Sequence, residues 1–226
     1  MQKLTPGLRR KYNLPERVVG TCSIQNLKPN HATYLLSDSF LQFLKPNKNV
    51  CVLVPKNMLG KAKKISGNTY VAVSDPFNAF VEIHNDFHRD FSPCTTGFGK
   101  PKIGSGSTIH PTVQFGDNVI LGKNVSISPY VTIGSNVVIG DNTIIFPQVS
   151  IYNDVTIGKN CVIDSGAVIG AEGFSVQFDA KKGTVRLLNV GKVKIGNNVD
   201  IGVHAVIDRG SMFDTVIEDN VKINNL

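Results

Sequence analysis

The chain is 226 residues long, 41% hydrophobic and 18% charged, with no tryptophan and a formal net charge of +7. That length suits one large domain or two modest ones, no stretch has the length and apolarity of a membrane span, and the basic N-terminus lacks the apolar run of a secretory signal. Cys22, Cys51, Cys94 and Cys161 lie far apart without a CxxC pair; this speaks against a zinc site or a disulfide framework and for a reducing compartment, the cytoplasm.

Residues 1–100 carry 14 Lys+Arg against 6 Asp+Glu, whereas residues 101–226 carry 10 against 11. A basic half joined to a neutral half suggests that the first half meets an anionic partner such as a nucleotide diphosphate, an acidic carrier protein or a membrane surface. The lysines are scattered and no basic helix with interleaved aromatics appears, so nucleic acid is not expected.

In chain order, residues 50–55 (VCVLVP) read as a short buried strand and residues 69–73 (TYVAV) as another. Lys56 to Ile65 between them suits a helix, giving a small βαβ-like unit. Asp75-Pro76 reads as a helix start, with Phe77, Phe80, Val81, His84 and Phe87 on one face. Residues 1–95 are therefore expected to form a small α/β domain, and the Pro/Gly-rich segment 92–102 to link it to the second half of the chain.

From Ile103 onward every sixth residue is large and apolar: Ile103, Ile109, Phe115, Leu121, Ile127, Ile133 and so on to Ile169. A smaller apolar residue, such as Val113, Val119 or Val125, stands two places earlier, Gly often follows, and Asn often comes three places after. A three-sided solenoid explains all of this: each hexad makes one short strand and one turn, and the aliphatic side chain stacks on its equivalents ~4.8 Å above and below. Asn and Gly suit turns that need left-handed backbone angles. Neither helical spacing nor hairpin punctuation is present. Residues 96–226 are thus expected to be a mainly β fold, a left-handed parallel β-helix of hexapeptide repeats.

The period breaks at residues 174–192, an insertion with three lysines and an arginine; loops that leave a solenoid usually sit on its functional face. It resumes at Ile195, Ile201 and Ile207, is interrupted by DRGSMFDT, and returns at Ile217 and Ile223. The chain ends at Leu226 in mid-pattern, and because solenoids need terminal caps a fragment of a longer protein is expected.

The motifs IGAEGF (169–174), VGKVKIGNNVDIG (190–202), IDRG (207–210) and the segment from Asp214 to Asn225, with TYLLSDSF (33–40) and DPFNAF (75–80), resemble the UDP-3-O-acylglucosamine N-acyltransferases of lipid A biosynthesis over roughly residues 24–226. The resemblance implies a homotrimer with active sites between neighbouring solenoids. It implies transfer of a 3-hydroxyacyl chain to the 2-amino group of a UDP-linked glucosamine, with no cofactor, the donor being carried on the phosphopantetheine of acyl carrier protein. It further implies that Tyr34, Ser37 and Phe40 hold uracil, although Ser37 stands where Asn is usual, and that Gly173, Phe174, Asp208 and Asn224 contact substrate. From the residues themselves, core packing is an equal reading for Tyr34 and Phe40, core filling a competing one for Phe174, and a buried ion pair the first reading for Asp208 and Arg209.

N-acylation needs a base, for which a histidine is suited. The resemblance places the family's catalytic His beyond the segment matching Lys222–Asn225, past Leu226, and the Asp usual in that segment is here Asn224. Among the histidines present, His204, in a turn position usually taken by Asn, is a weak catalytic candidate. His84 and His88, one helical turn apart, are a poor metal pair without carboxylates nearby, and no metal is expected; His31 and His110 have no assigned role. Two other readings stay open: an acetyl-CoA-dependent nucleotide-sugar acetyltransferase, and a non-catalytic trimeric binding or scaffold protein.

Overall fold

A computed structural model describes residues 2–97, 99–179 and 183–226, with the side chain of Asp179 left aside. The chain divides into two compact units, one of Met1–Asp90 with Ser175–Leu188 and the other of Phe91–Phe174 with Asn189–Leu226. The sequence pattern alone assigns the inserted segment to the solenoid. Packing instead puts 175–188 with the N-terminal residues, and the physical reason is a set of hydrogen bonds from Asn85 and His84 on one helix.

In the N-terminal unit, α1 (Pro6–Lys11) leads to a parallel sheet of β1 (Gly20–Thr21), β2 (His31–Tyr34), β3 (Cys51–Pro55) and β4 (Thr69–Val73), in that spatial order. β3 is buried along nearly its whole length, which is why it reads as a continuous apolar run rather than an alternating one. The connection to β4 is helical but shorter than its sequence suggests: a 3-10 turn over Lys56–Met58 runs into α2 (Leu59–Ala62). α3 (Pro76–Phe87) starts where expected: Asp75 accepts the Asn78 backbone N–H at 3.0 Å and Pro76 takes the first turn. Phe80, Val81, Ile83, His84 and Phe87 are buried, with Phe77 half-buried.

The second unit is a left-handed parallel β-helix. Among the described residues its strands form three parallel sheets, of five, six and six strands, most strands being only two residues long. Coils repeat at 18 residues, as in the hydrogen bonds from Asn118 to Asn136 and from Asn124 to Asn142. The stacked columns are those of the hexad frame: Leu121, Ile139 and Ile157 pair in register in one sheet, Ile127, Ile145 and Ile163 in a second, Ile133, Ile151 and Ile169 in the third. Across the insertion the columns resume without slipping, since Ile157 pairs Ile195, Ile163 pairs Ile201 and Ile169 pairs Ile207.

Most corners have one residue in the left-handed region. At two corners this is mostly asparagine, and the side-chain amides form ladders, Asn124 to Asn142 at 3.1 Å and Asn142 to Asn160 at 3.0 Å. The third corner differs: its left-handed residues are Tyr130, Gln148, Gly166, His204 and Leu226. The exposed edge of the solenoid's first coil is met by the segment after Phe91, where Gly97 and Gly99 both donate to the carbonyl of Phe115 at 3.1 Å. No helix among the described residues is long and apolar enough to cross a membrane.

The stack predicts a large cost for a hole in it. Ile145 is fully buried, so Ile145→Ala should lower unfolding free energy by about 2–5 kcal/mol, read as a lowered denaturant midpoint with the parallel-sheet spectrum retained below it.

Candidate functional site

The nominated residues fall in two places. In the N-terminal unit, β2 ends at Tyr34, whose half-buried ring lies 5.2 Å from Phe77 and 4.8 Å from Phe80, centroid to centroid. Burial pushes the Tyr34 hydroxyl pKa up. Phe40 lies on the following 3-10 turn (Asp38–Phe43), packs on the core of Leu35, Val50 and Val52, and meets Phe43 at 6.1 Å. Tyr34 and Phe40 thus pack against different partners. Ser37 is exposed at the start of that turn, its hydroxyl 2.7 Å from that of Ser39. Lys61 reaches Asp38 from α2. Strand ends of a parallel sheet with an adjoining helix N-terminus are a common place for a ligand.

α3 also fixes the inserted segment, which forms an antiparallel hairpin, Val176–Asp179 with Gly183–Arg186. Asn85 donates its side-chain N–H to the Arg186 carbonyl at 2.7 Å and accepts the Leu188 N–H at 3.1 Å. His84 is buried, with Nε2 donating to the Leu188 carbonyl at 2.9 Å and Nδ1 facing the Thr21 hydroxyl at 2.7 Å. Burial and the neighbouring His88 pull its pKa down from 6.5 to about 4, the bond to Leu188 opposing them. Both nitrogens are therefore engaged and the ring is neutral. His84 and His88 lie 4.7 Å apart ring to ring, and among the described residues no group of three or more His, Cys, Asp or Glu is placed to hold a metal. Of the insertion's basic residues, Arg186 is exposed and Lys192 pairs with Asp154 at 3.6 Å; Lys181 and Lys182 lie outside the described residues.

In the solenoid, the register shifts between Ile169 and Ala171, so that Ala171 pairs Asp208 and Glu172 pairs Arg209. Such bulges re-aim side chains and are frequent beside functional sites. Gly173 and Asp208 come together here: a Cβ on Gly173 would lie 3.4 Å from Asp208 Oδ2 and 3.1 Å from Asn189 Nδ2. Phe174, read alternatively as core, is 91% exposed in the chain, where the inserted segment leaves the solenoid.

The expected Asp208–Arg209 ion pair does not form. Adjacent residues of a strand point to opposite faces, so Asp208 is exposed while Arg209 is buried. Arg209 donates Nε to the Gly191 carbonyl at 2.8 Å and Nη1 to that of Pro93 at 3.4 Å, its Nη2 lies 4.0 Å from Asp154, and its guanidinium lies 4.9 Å from the Phe91 ring centre. Burial draws its pKa down, with Asp154, Glu172 and Asp214 opposing. Asn153 holds the same linker through its side chain, donating to Ser92 O at 3.0 Å and accepting from Thr95 N at 2.9 Å.

Asn224 is exposed at the corner after Lys222–Ile223, a different corner from Gly173 and Asp208, so the structure does not bring it to them within one chain. His204 adopts the left-handed turn conformation at φ 55°, with its ring lying over Gly166, where a Cβ would collide with the imidazole. Roughly 13 Å of extended chain separates it from Asp208. His110 is exposed and bonded to the Thr112 hydroxyl at 2.9 Å, and His31 donates to the Pro29 carbonyl at 2.9 Å. Sequence reasoning missed Asn189, Asp154 and Asn85, which stand in no motif and are distinguished only by what they touch.

A three-sided prism with a loop and a bulge at one strand end defines the class, the hexapeptide-repeat transferases, and the family model for "Bacterial transferase hexapeptide (six repeats)" matches residues 100–135 and 136–171. The chain is 40% identical over 238 residues to the UDP-3-O-acylglucosamine N-acyltransferase of Trichodesmium erythraeum, covering 100% of this chain and 67% of the relative. It is 36% identical over 220 residues to that of Helicobacter pylori (97% and 65%) and 33% identical over 219 residues to that of Coxiella burnetii (92% and 63%). The chain belongs to the UDP-3-O-acylglucosamine N-acyltransferase family, and it spans about two thirds of the length of the relatives it matches.

Between pH about 6.5 and about 4 the unfolded chain binds a proton that folded His84 refuses, so stability is full above that window and falls as pH drops through it, by on the order of 3 kcal/mol in all. Thermal melts across this range should show the loss, and His84→Gln should flatten the slope.

Proposed function

We propose that the protein acts in N-acylation of UDP-3-O-acylglucosamine, taking a 3-hydroxyacyl chain from the phosphopantetheine of acyl carrier protein, as a cytoplasmic homotrimer in lipid A biosynthesis. The observation that carries this reading is the meeting of Gly173, Asp208 and Asn189 at the point where the GF motif leaves the solenoid, in a chain of this family. No cofactor is required by this chemistry. The sugar nitrogen attacks the thioester carbon, the new C–N bond replaces the C–S bond, the thiol leaves, and a base accepts the proton lost from nitrogen.

The basic N-terminal half suits a diphosphate and an acidic carrier protein. Tyr34 supplies an aromatic face for a pyrimidine, its own ring held by Phe77 and Phe80. Among the histidines, buried neutral His84 is unsuited to proton transfer, since both its nitrogens are engaged. His204, on another corner, is not brought to Gly173 and Asp208 within one copy.

Titration with UDP and with UDP-3-O-acylglucosamine tests the reading. Both should bind, and Tyr34→Ala should weaken UDP about tenfold, corresponding to loss of one aromatic stacking contact of roughly 1–1.5 kcal/mol. Acylation of the sugar amine from 3-hydroxyacyl carrier protein by residues 1–226 should be slow or absent, since neither His84 nor His204 is placed to take the proton beside Gly173 and Asp208. Acylation from acetyl-CoA with no response to carrier protein would favour the acetyltransferase reading, and absence of UDP binding would overturn the proposal.

A further inference from the structure

The sheet of the N-terminal unit ends in two unlike edges. β1 is two residues long, whereas β4 runs for five, Thr69–Val73, with β3 on one side and no strand on the other. Thr69 donates its N–H to the Val50 carbonyl at 2.9 Å. In a parallel ladder this turns the backbone groups of Thr69, Val71 and Val73 toward β3 and leaves the N–H and C=O of Tyr70 and Ala72 pointing outward. Among the described residues, none of these four outward groups has a hydrogen-bond partner in the protein. Natural sheets blunt such an edge by shortness, as in β1, or with proline or charge. The TYVAV of β4 has neither proline nor charge, and its residues suit a strand.

A cavity of about 260 Å³ lies along this edge, with Tyr70–Val73 as one wall and Lys11–Asn13, at the end of α1, as the other. Four residues of strand span roughly 13 Å, so the cavity is a slot the length of a short extended segment. Its surroundings are cationic. Arg17 is exposed, donates to the Thr69 hydroxyl, and has no carboxylate partner among the described residues. Lys11 gives one N–H to Glu82 at 2.6 Å and stays half-exposed. The Tyr70 hydroxyl donates to the Ile65 carbonyl at 2.7 Å, which holds beside β4 the turn carrying Lys63 and Lys64, both exposed and without an ion pair among the described residues. The carboxylates close in sequence are already engaged: Glu82 by Lys11 and Tyr12, Glu16 by Arg9, and Asp75 by Asn78.

We infer that the open edge of β4 and this slot form a docking site for an extended acidic peptide segment, added as a fifth strand of the sheet. Tyr70 and Ala72 offer two donors and two acceptors at strand spacing, a pattern that an extended backbone matches group for group. The cations around the slot select acidic side chains on that backbone, and residues 1–90 as a whole carry 13 Lys+Arg against 6 Asp+Glu. A second copy of this chain fits less well. Pairing β4 with its own counterpart would bring Arg17 and Lys11 of one copy against the same cations of the other, and like charges across paired strands are destabilising.

Fluorescence anisotropy of a labelled hexapeptide alternating valine and glutamate, titrated with the full chain, tests this. The peptide should bind, and the same peptide with lysine in place of glutamate should bind about tenfold more weakly or worse. Ala72→Pro deletes one outward N–H at a position where an edge strand tolerates proline; with circular dichroism and melting temperature unchanged, it should weaken the acidic peptide about tenfold. Methylating alternate backbone nitrogens of the peptide reads the same bonds on the unaltered chain: one methylation register should lose about tenfold and the other little. Arg17→Gln should shrink the glutamate-over-lysine preference to within about threefold. Absence of binding, equal binding of the two peptides, or indifference to both methylation registers overturns the site. Dimerisation of the chain that Ala72→Pro abolishes would assign the edge to a second copy and overturn it as well.

Discussion

A two-residue strand cannot hold its own position. Each one in the solenoid makes only a pair of hydrogen bonds to the coil above and a pair to the coil below, and an isolated ribbon of that size is at most marginally stable in water. What fixes the register is the branched aliphatic side chain that each strand sends inward to meet the same side chain one coil away. A slip of one residue would turn that column outward and put Thr, Ser or Val of the preceding position in the core. The corners obey the same constraint: a turn every six residues places a left-handed residue at most corners, and stacking makes these into ladders in which asparagine amides satisfy one another. Packing, backbone geometry and side-chain hydrogen bonding thus share one period.

Where that period is suspended, the polar groups become individual. Between Ile157 and Ile195 the coil step lengthens from 18 to 38 residues, and between Ile195 and Ile217 it is 22. The columns on either side remain in register, so the extra chain is expelled without loss of the stack, which is how a rigid prism can carry a site. Arg209 is buried beside this break in the period. A buried guanidinium is tolerable only if its charge and its N–H groups are met, and here Asp154, two carbonyls and the Phe91 ring meet them. The result ties the linker at Pro93 and the strand carrying Asp208 to the same ion.

How much of this was legible depends on the range of the interaction. The hexad columns are a local property repeated many times, so they stand out from sequence alone, as do the Asp75 cap and the two strands of continuous apolar character. His31–Tyr34 is four residues with no clear alternation, and its identity as a strand comes only from its neighbours in the sheet. Arg209 and Asp154 meet across coils, and the sequence offers the adjacent Asp208 as the obvious but geometrically impossible partner. Asn85 and His84 look like ordinary helix residues; their role in fastening the hairpin depends on contacts about a hundred positions away. For Phe174 the competing core reading fails, since the ring is exposed where the repeat breaks off.

Asp208 and Arg209 show how one short strand serves structure and chemistry together. Alternation directs one of the two charges inward and the other outward. The inward charge is partnered and fixes the backbone; the outward carboxylate has no cation beside it among the described residues. Had the two residues been exchanged, the carboxylate would sit among the carbonyls of Gly191 and Pro93, where repulsion would drive it to take up a proton, and the guanidinium would face outward. The order of two residues, set against the pleat of the strand, therefore fixes the sign of the charge that this strand end presents.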